Sequence, residues 1–165
     1  MLRSAKELTG YVLEASDQEV GRCHDFLLDD ATWTIRYMVA DTGKWLPGRK
    51  VLISPIALGD PDWLAHHFPV RLTAEQIEQA PELDEHAPVS RQYERWYHEH
   101  YGWPYYWGGA GLWADATYPG ALFASEAHGG APEEPEIEDP HLHSLQEVLG
   151  YRIDARDGEI GKVDD

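Results

Sequence analysis

The chain has 165 residues, a formal net charge of −17 from 13 Lys and Arg against 30 Asp and Glu, and a single cysteine. That size holds one domain, or one small domain with an extension. No 18-residue apolar run exists to make a transmembrane helix, MLRSAKELTG lacks the apolar stretch of a secretory signal, and one Cys excludes an internal disulfide and fits a cytoplasmic setting.

In chain order, residues 2–8 predict a short helix or the lead into a strand. GYVLEAS (10–16) predicts a first strand, with Asp17-Gln18 as its turn, and EVGRCHDFLLDD (19–30) a second. Gly21 inside that second strand predicts a bulge or a close backbone approach. Asp29-Asp30-Ala31 turns the chain into a third strand, WTIRYMVAD (33–41), rich in β-branched and aromatic residues. Its alternation puts Ile35, Tyr37 and Val39 on one face and Thr34, Arg36 and Met38 on the other. Leu46-Pro47-Gly48-Arg49 suits a type II turn. KVLISPIAL (50–58) and FPVRLT (68–73) predict a fourth and a fifth strand. Short strands meandering through tight turns predict a mainly β unit, a small closed or nearly closed β-barrel, over residues 1–72.

Residues 73–113 read as short helices and an aromatic flap. Thr73 and Gln76 form a capping-box pattern, and Ser90 caps a second helix, SRQYERWYHEHY (90–101). Nine of the nineteen aromatics lie between Tyr93 and Trp113. The flap is expected to cover the barrel or to pair with a second copy of the chain. Gly, Ala and Pro and then EEPEIED follow, so residues 114–140 predict a flexible acidic linker.

The sequence then begins again. At an offset of 140, Leu2, Ser4, Glu7, Gly10, Tyr11, Ala15, Asp17, Glu19, Gly21 and Asp25 recur as Leu142, Ser144, Glu147, Gly150, Tyr151, Ala155, Asp157, Glu159, Gly161 and Asp165, ten identities in 24 ungapped positions. Residues 141–165 are therefore expected to open a second copy of the unit, with Asp157-Gly158 as its hairpin turn. Cys23 aligns with Val163, which predicts a small apolar core slot rather than a reactive thiol. A lone hairpin is marginal in water. If ordered, this one is expected to add to a sheet edge, making a homodimer or a strand-swapped oligomer; if not, the chain is a fragment of a longer tandem protein.

The acidity is uneven. Residues 1–72 carry 8 basic and 10 acidic side chains, and residues 73–165 carry 5 and 20. The second half would be repelled by nucleic acid and anionic lipid. Lys44, Trp45, Arg49 and Lys50 flank the Pro-Gly turn and read as a docking finger, because Trp and Arg are common interface anchors. Trp96, Trp103, Tyr105, Tyr106 and Trp107 are further candidate contacts. Glu94, His98 and His100 are weak metal candidates, since no HExxH or CxxC accompanies them. No nucleophile stands beside a base and no phosphate-cradling loop occurs, so neither an enzyme nor a cofactor is expected.

GYVLEASDQEVGRCHDFLLDDATWTIRYMVADTGKWLPGRKVLISP (10–55) resembles a PRC-barrel domain, the small barrel of the cytoplasmic region of the photosynthetic reaction centre H subunit. The resemblance covers residues 2–72 and, in part, 142–165. It implies a tandem barrel with its second copy truncated, acting as a protein-interaction or assembly module, with peripheral association to a membrane complex. The similar barrel of a ribosome-maturation factor implies an alternative, an adaptor that binds a ribosomal protein. A small metal-binding protein or enzyme is the third reading.

Overall fold

The computed structural model describes residues 4–84, 87–123 and 141–165. Ser4 accepts a hydrogen bond from the Glu7 amide and starts α1 (Ala5–Leu8). Gly10, at φ +88°, turns the chain into β1 (Val12–Glu14), and β2 (Glu19–Asp29), β3 (Thr34–Asp41), β4 (Lys50–Ile53) and β5 (His67–Pro69) follow. The Pro47-Gly48 turn forms as its sequence requires, with Gly48 at φ +76° and the Arg49 amide donating to the Leu46 carbonyl at 3.0 Å.

These strands make one sheet in the order β4-β3-β2-β1-β5, antiparallel except for β1 beside β5. The fold is mainly β, as expected. Closure into a barrel is not found. The outer strands β4 and β5 do not pair with each other. Beyond them, an isolated bridge between Leu58 and Val70 and the Gly59 amide on the Pro69 carbonyl (2.8 Å) only draw the following loops together.

Two irregularities shape the sheet. His24 in β2 and Arg36 in β3 are skipped in the pairing register. Each extra residue bends its strand and re-aims a side chain. Gly21 answers a different demand: a Cβ there would stand 2.2 Å from the Asp41 carbonyl oxygen, where the end of β3 crosses β2. The close approach predicted for that glycine is real. The two-faced alternation predicted for β3 is not, because residues 36–40 are all buried. Its second face is covered by the aromatic layer that follows in sequence.

That layer opens with α2 (Ala74–Glu78), whose capping box forms in full, and α3 (Arg91–Tyr101), capped by Ser90 and stopped by Gly102 at φ +67°. Tyr97, Trp103, Tyr106 and Trp113 are buried against the sheet. The expectation of a flexible linker from residue 114 is corrected for residues 114–123. Residues 114–123 still hold structure: Trp113 bridges Ala116, a 3-10 turn spans Pro119–Leu122, and Leu122 is buried beside Phe123, which lies 4.6 Å under the Arg71 guanidinium. Ala116, Leu122 and Phe123 pack on the core and stabilise this stretch, which its Gly, Ala and Pro content does not advertise. The acidic run 124–140 lies outside the described residues.

After it, β6 (Leu142–Ser144) adds antiparallel to β2 at Leu27–Asp29, on the edge that β1 occupies further back. α4 (Leu145–Val148) buries Leu145 and Val148 in the same core. The hairpin then stands apart as a two-stranded sheet, β7 (Arg152–Ala155) and β8 (Gly158–Lys162). Its loop is Arg156-Asp157, one residue earlier than the sequence suggested, with Gly158 paired to Ala155. Within the single chain the hairpin pairs with no other described strand; its lead-in β6 is what adds to the sheet.

Candidate functional site

The largest concentration of titratable groups lies beneath α3. Glu94 is fully buried, one helical turn from His98. Its Oε1 accepts hydrogen bonds from the Tyr106 hydroxyl (2.6 Å) and the Tyr37 hydroxyl (3.1 Å). Its Oε2 faces Arg91 Nη1 at 3.0 Å and His141 Nε2 at 2.9 Å. Oε2 makes no aligned hydrogen bond, so the Arg91 contact acts through charge. A carboxylate stripped of water needs such neighbours, because an unpaired buried charge costs several kcal/mol, on the order of 3–5 when a partner is removed.

His98 completes the cluster. Its Nδ1 donates to the Pro104 carbonyl at 2.8 Å, and its Nε2 stands 3.3 Å from the Tyr37 hydroxyl, which it therefore shares with Glu94. Burial dominates the ring and holds its pKa down at about 4, against the opposing pull of Glu94. The imidazole is thus neutral at pH 7. Burial, and next the charge of Glu94, push the hydroxyls of Tyr37 and Tyr106 well above the usual phenol range. Both remain protonated donors.

A second buried charge sits beside this cluster. Arg36, the bulged residue of β3, pairs with Asp29 at 3.4 Å, donates to the Thr32 hydroxyl and the Leu112 carbonyl, and lies 4.0 Å over the Tyr106 ring. Asp29 holds the expected turn from the end of β2, its Oδ1 accepting from the Ala31 and Thr32 amides at 2.9 and 3.2 Å, and it is buried there; Asp25, also buried in β2, accepts from the Ser144 hydroxyl of the second segment. Arg36, Arg91 and Tyr37 were not expected from the sequence as site residues. The one available signal was a charge in mid-strand at Arg36. Arrangements like this hold three elements together: β3, α3 and the entry to β6. Glu94 and Tyr37 are sealed from solvent, and Arg91 and His141 lie at the edge of the cluster.

The sequence-derived candidates fall in several places. Of the three weak metal candidates, Glu94 and His98 meet at Tyr37, while His100 is exposed and turned toward the Gln76 carbonyl at 3.3 Å. Among the described residues no three His, Cys, Asp or Glu side chains converge to hold a metal ion. At the Pro-Gly turn, Arg49 donates to the Glu78 and Ala80 carbonyls, both at 2.8 Å, and Trp45 is half-buried against the core. Lys44 is exposed and Lys50 half-buried. Trp103 and Tyr106 are interior, Tyr105 and Trp107 half-buried, and Trp96 is 56% exposed. Cys23 is buried, and burial followed by the charge of Asp25 pushes its thiol up to about 12, so it is core as expected and not a nucleophile at neutral pH.

The contacts between the two related segments have a symmetry of their own. The Gln146 side-chain amide donates to the His24 carbonyl, and Ser144 donates to Asp25. The Lys6 ammonium donates to the Asp164 carbonyl, and the Lys6 backbone amide to Asp165. Lys6 stands 140 residues before Gln146, and His24 and Asp25 stand 140 before Asp164 and Asp165. Equivalent positions of the two lead-in segments therefore contact equivalent positions of the other segment, within β2 in one case and just past β8 in the other. No family model matches the chain, and no curated protein matches it.

Proposed function

We propose that this protein is a non-enzymatic protein-interaction or assembly module, a PRC-barrel-like protein similar to the cytoplasmic domain of the reaction centre H subunit. In this reading it acts in the cytoplasm, at the periphery of a membrane complex, and residues 141–165 begin a second barrel. The observation that carries it is the addition of β6 to β2: strand pairing joins one segment to another across more than a hundred residues. The sealed state of Glu94 and Tyr37 supports a structural use of the cluster's charges over catalysis. No helix of the described residues is long and apolar enough to cross a membrane, which suits docking rather than insertion. Lys44 and Trp96 give the reading exposed contacts of the kind that anchor interfaces.

Affinity capture from native lysate, with the full chain as bait, tests this. The expected result is a stoichiometric protein partner whose recovery falls about tenfold or more in a Lys44→Glu, Trp96→Ala double variant. A full chain that captures no stoichiometric protein, or a variant that captures it equally well, would defeat the reading.

A further inference from the structure

Hairpin 151–163 is built like hairpin 11–23. In the first, the Gly10 amide meets the Cys23 carbonyl at 2.7 Å and the Cys23 amide meets the Tyr11 carbonyl at 2.8 Å; in the second, Gly150, Val163 and Tyr151 make the same bonds, both at 2.8 Å. The register shifts at the same place, Leu13/Glu14 and Ile153/Asp154. Surroundings separate them. Tyr11, Leu13 and Val20 are 6%, 0% and 1% exposed, whereas Tyr151, Ile153 and Ile160 are 53%, 40% and 68% exposed.

Two features say what kind of group fits the open hairpin. First, β8 pairs only with β7 among the described residues, so its outer edge offers free amides and carbonyls, whereas its counterpart β2 pairs with β3 along that edge. Second, Gly161 holds φ +150° with nothing within 4 Å of where a Cβ would be, while Gly21, at φ +138°, makes room for the backbone at Asp41 and Thr42. The second hairpin thus keeps a seat for a crossing strand.

Charge names the occupant. Within a chain of net charge −17, residues 150–163 carry three basic groups (Arg152, Arg156, Lys162) and three acidic ones (Asp154, Asp157, Glu159). Over these residues basic and acidic groups balance, so this patch meets its own copy with less repulsion than the rest of the chain would generate. Resting on the reading of the protein as an interaction module, we propose that β8 pairs antiparallel with β8 of a second copy about a two-fold axis between Ile160 and Gly161. That register sets Glu159 against the partner's Lys162 twice, and the partner's Ile160 against the bare Gly161. The two approaches of Asp157 to the partner's Asp164, at its ends, are the remaining like-charge pairs. Two marginal hairpins become one four-stranded sheet with a continuous apolar face, the minimum that such strands need for stability. The strong twist at the two bulges coils that face inward.

Sedimentation of the full chain over a range of concentrations tests the pairing. The mass is expected to rise from 18.7 kDa toward twice that value. Ile160→Glu is expected to hold it at the monomer, and because Ile160 is exposed the variant keeps its fold by circular dichroism. Glu159→Lys and Lys162→Glu alone are each expected to weaken association about tenfold or more, and together to restore it. A monomer at every concentration, a dimer indifferent to Ile160→Glu, or a double reversal that restores nothing would overturn the pairing. A monomer that still captures a different protein would overturn it while leaving the interaction reading standing.

Discussion

Hairpins 11–23 and 151–163 share their internal hydrogen bonds, their bulge and their positive-φ glycines, yet one lies at the centre of the molecule and the other outside it. The contrast separates what a short sequence encodes from what its surroundings add. Turn chemistry and alternation are local, and they build the same hairpin twice. Burial is not local: β3, β5 and the rings of Trp63 and His66 supply it to the first hairpin only.

Matched truncations should show the largest difference. Leu13→Ala deletes methyl groups from a site with no exposure, at a cost of about 2–5 kcal/mol. For a chain of this size that lowers Tm by roughly 5–15 °C. Ile153→Ala removes a side chain from a site 40% exposed, and on protein dilute enough to be monomeric it should change stability by no more than about 0.5 kcal/mol. Thermal unfolding followed by circular dichroism reads both. Equal losses would mean that the second hairpin is packed as tightly as the first.

A smaller but still large effect comes from the layer that covers the first hairpin's sheet. His98 is neutral in the fold because burial lowers its pKa from 6.5 to about 4. The unfolded chain therefore binds more protons between those values. Stability from this site is fully present above about pH 6.5 and is lost as pH falls toward 4, by an amount on the order of 3 kcal/mol. Protonation would place a second N–H against Tyr37 and a positive charge beside Arg91, with Glu94 offsetting part of the cost. Melting temperature measured from pH 7 to pH 4, with His98→Gln for comparison, should show a slope in this window that the variant flattens. Amide exchange in β7 and β8 should not follow it, since no residue of this cluster touches them.

The same division explains how much was legible beforehand. The Thr73 and Ser90 caps, the Pro47-Gly48 turn, the strand order in sequence and the core place of Cys23 all follow from neighbours within a few residues, or from the repeat. The Glu94 cluster did not. Tyr37, Glu94, Tyr106 and His141 come from four separated segments, and nothing in the spacing of any one points to the others. Arg36 could be seen as a charge in an apolar strand, but its partner ring at Tyr106 lies seventy residues on. The start of the expected linker was misplaced for the opposite reason: its composition is that of a loop, and only contacts with distant parts of the core make 114–123 pack.

The mildest intervention is the most specific about how the two hairpins are joined. Lys6 ties α1 to the second hairpin through the Asp164 carbonyl at 2.7 Å and through Asp165 at 3.0 Å from its backbone amide. The ammonium contact is solvent-exposed, and contacts of that kind contribute little to global stability. Lys6→Ala should therefore leave Tm unchanged within error. It should nonetheless raise hydrogen exchange at the amides of β7 and β8, because local opening is governed by the few contacts that hold a segment down. Gln146→Ala, the matching change 140 residues on, loosens the grip on β2 at His24, where α4 and β6 are also held by the buried Leu142, Leu145 and Val148. Its exchange should barely change. The same contact made twice would then be a tether in one place and redundant in the other, and the difference would come from core contacts that only one of the two grips has.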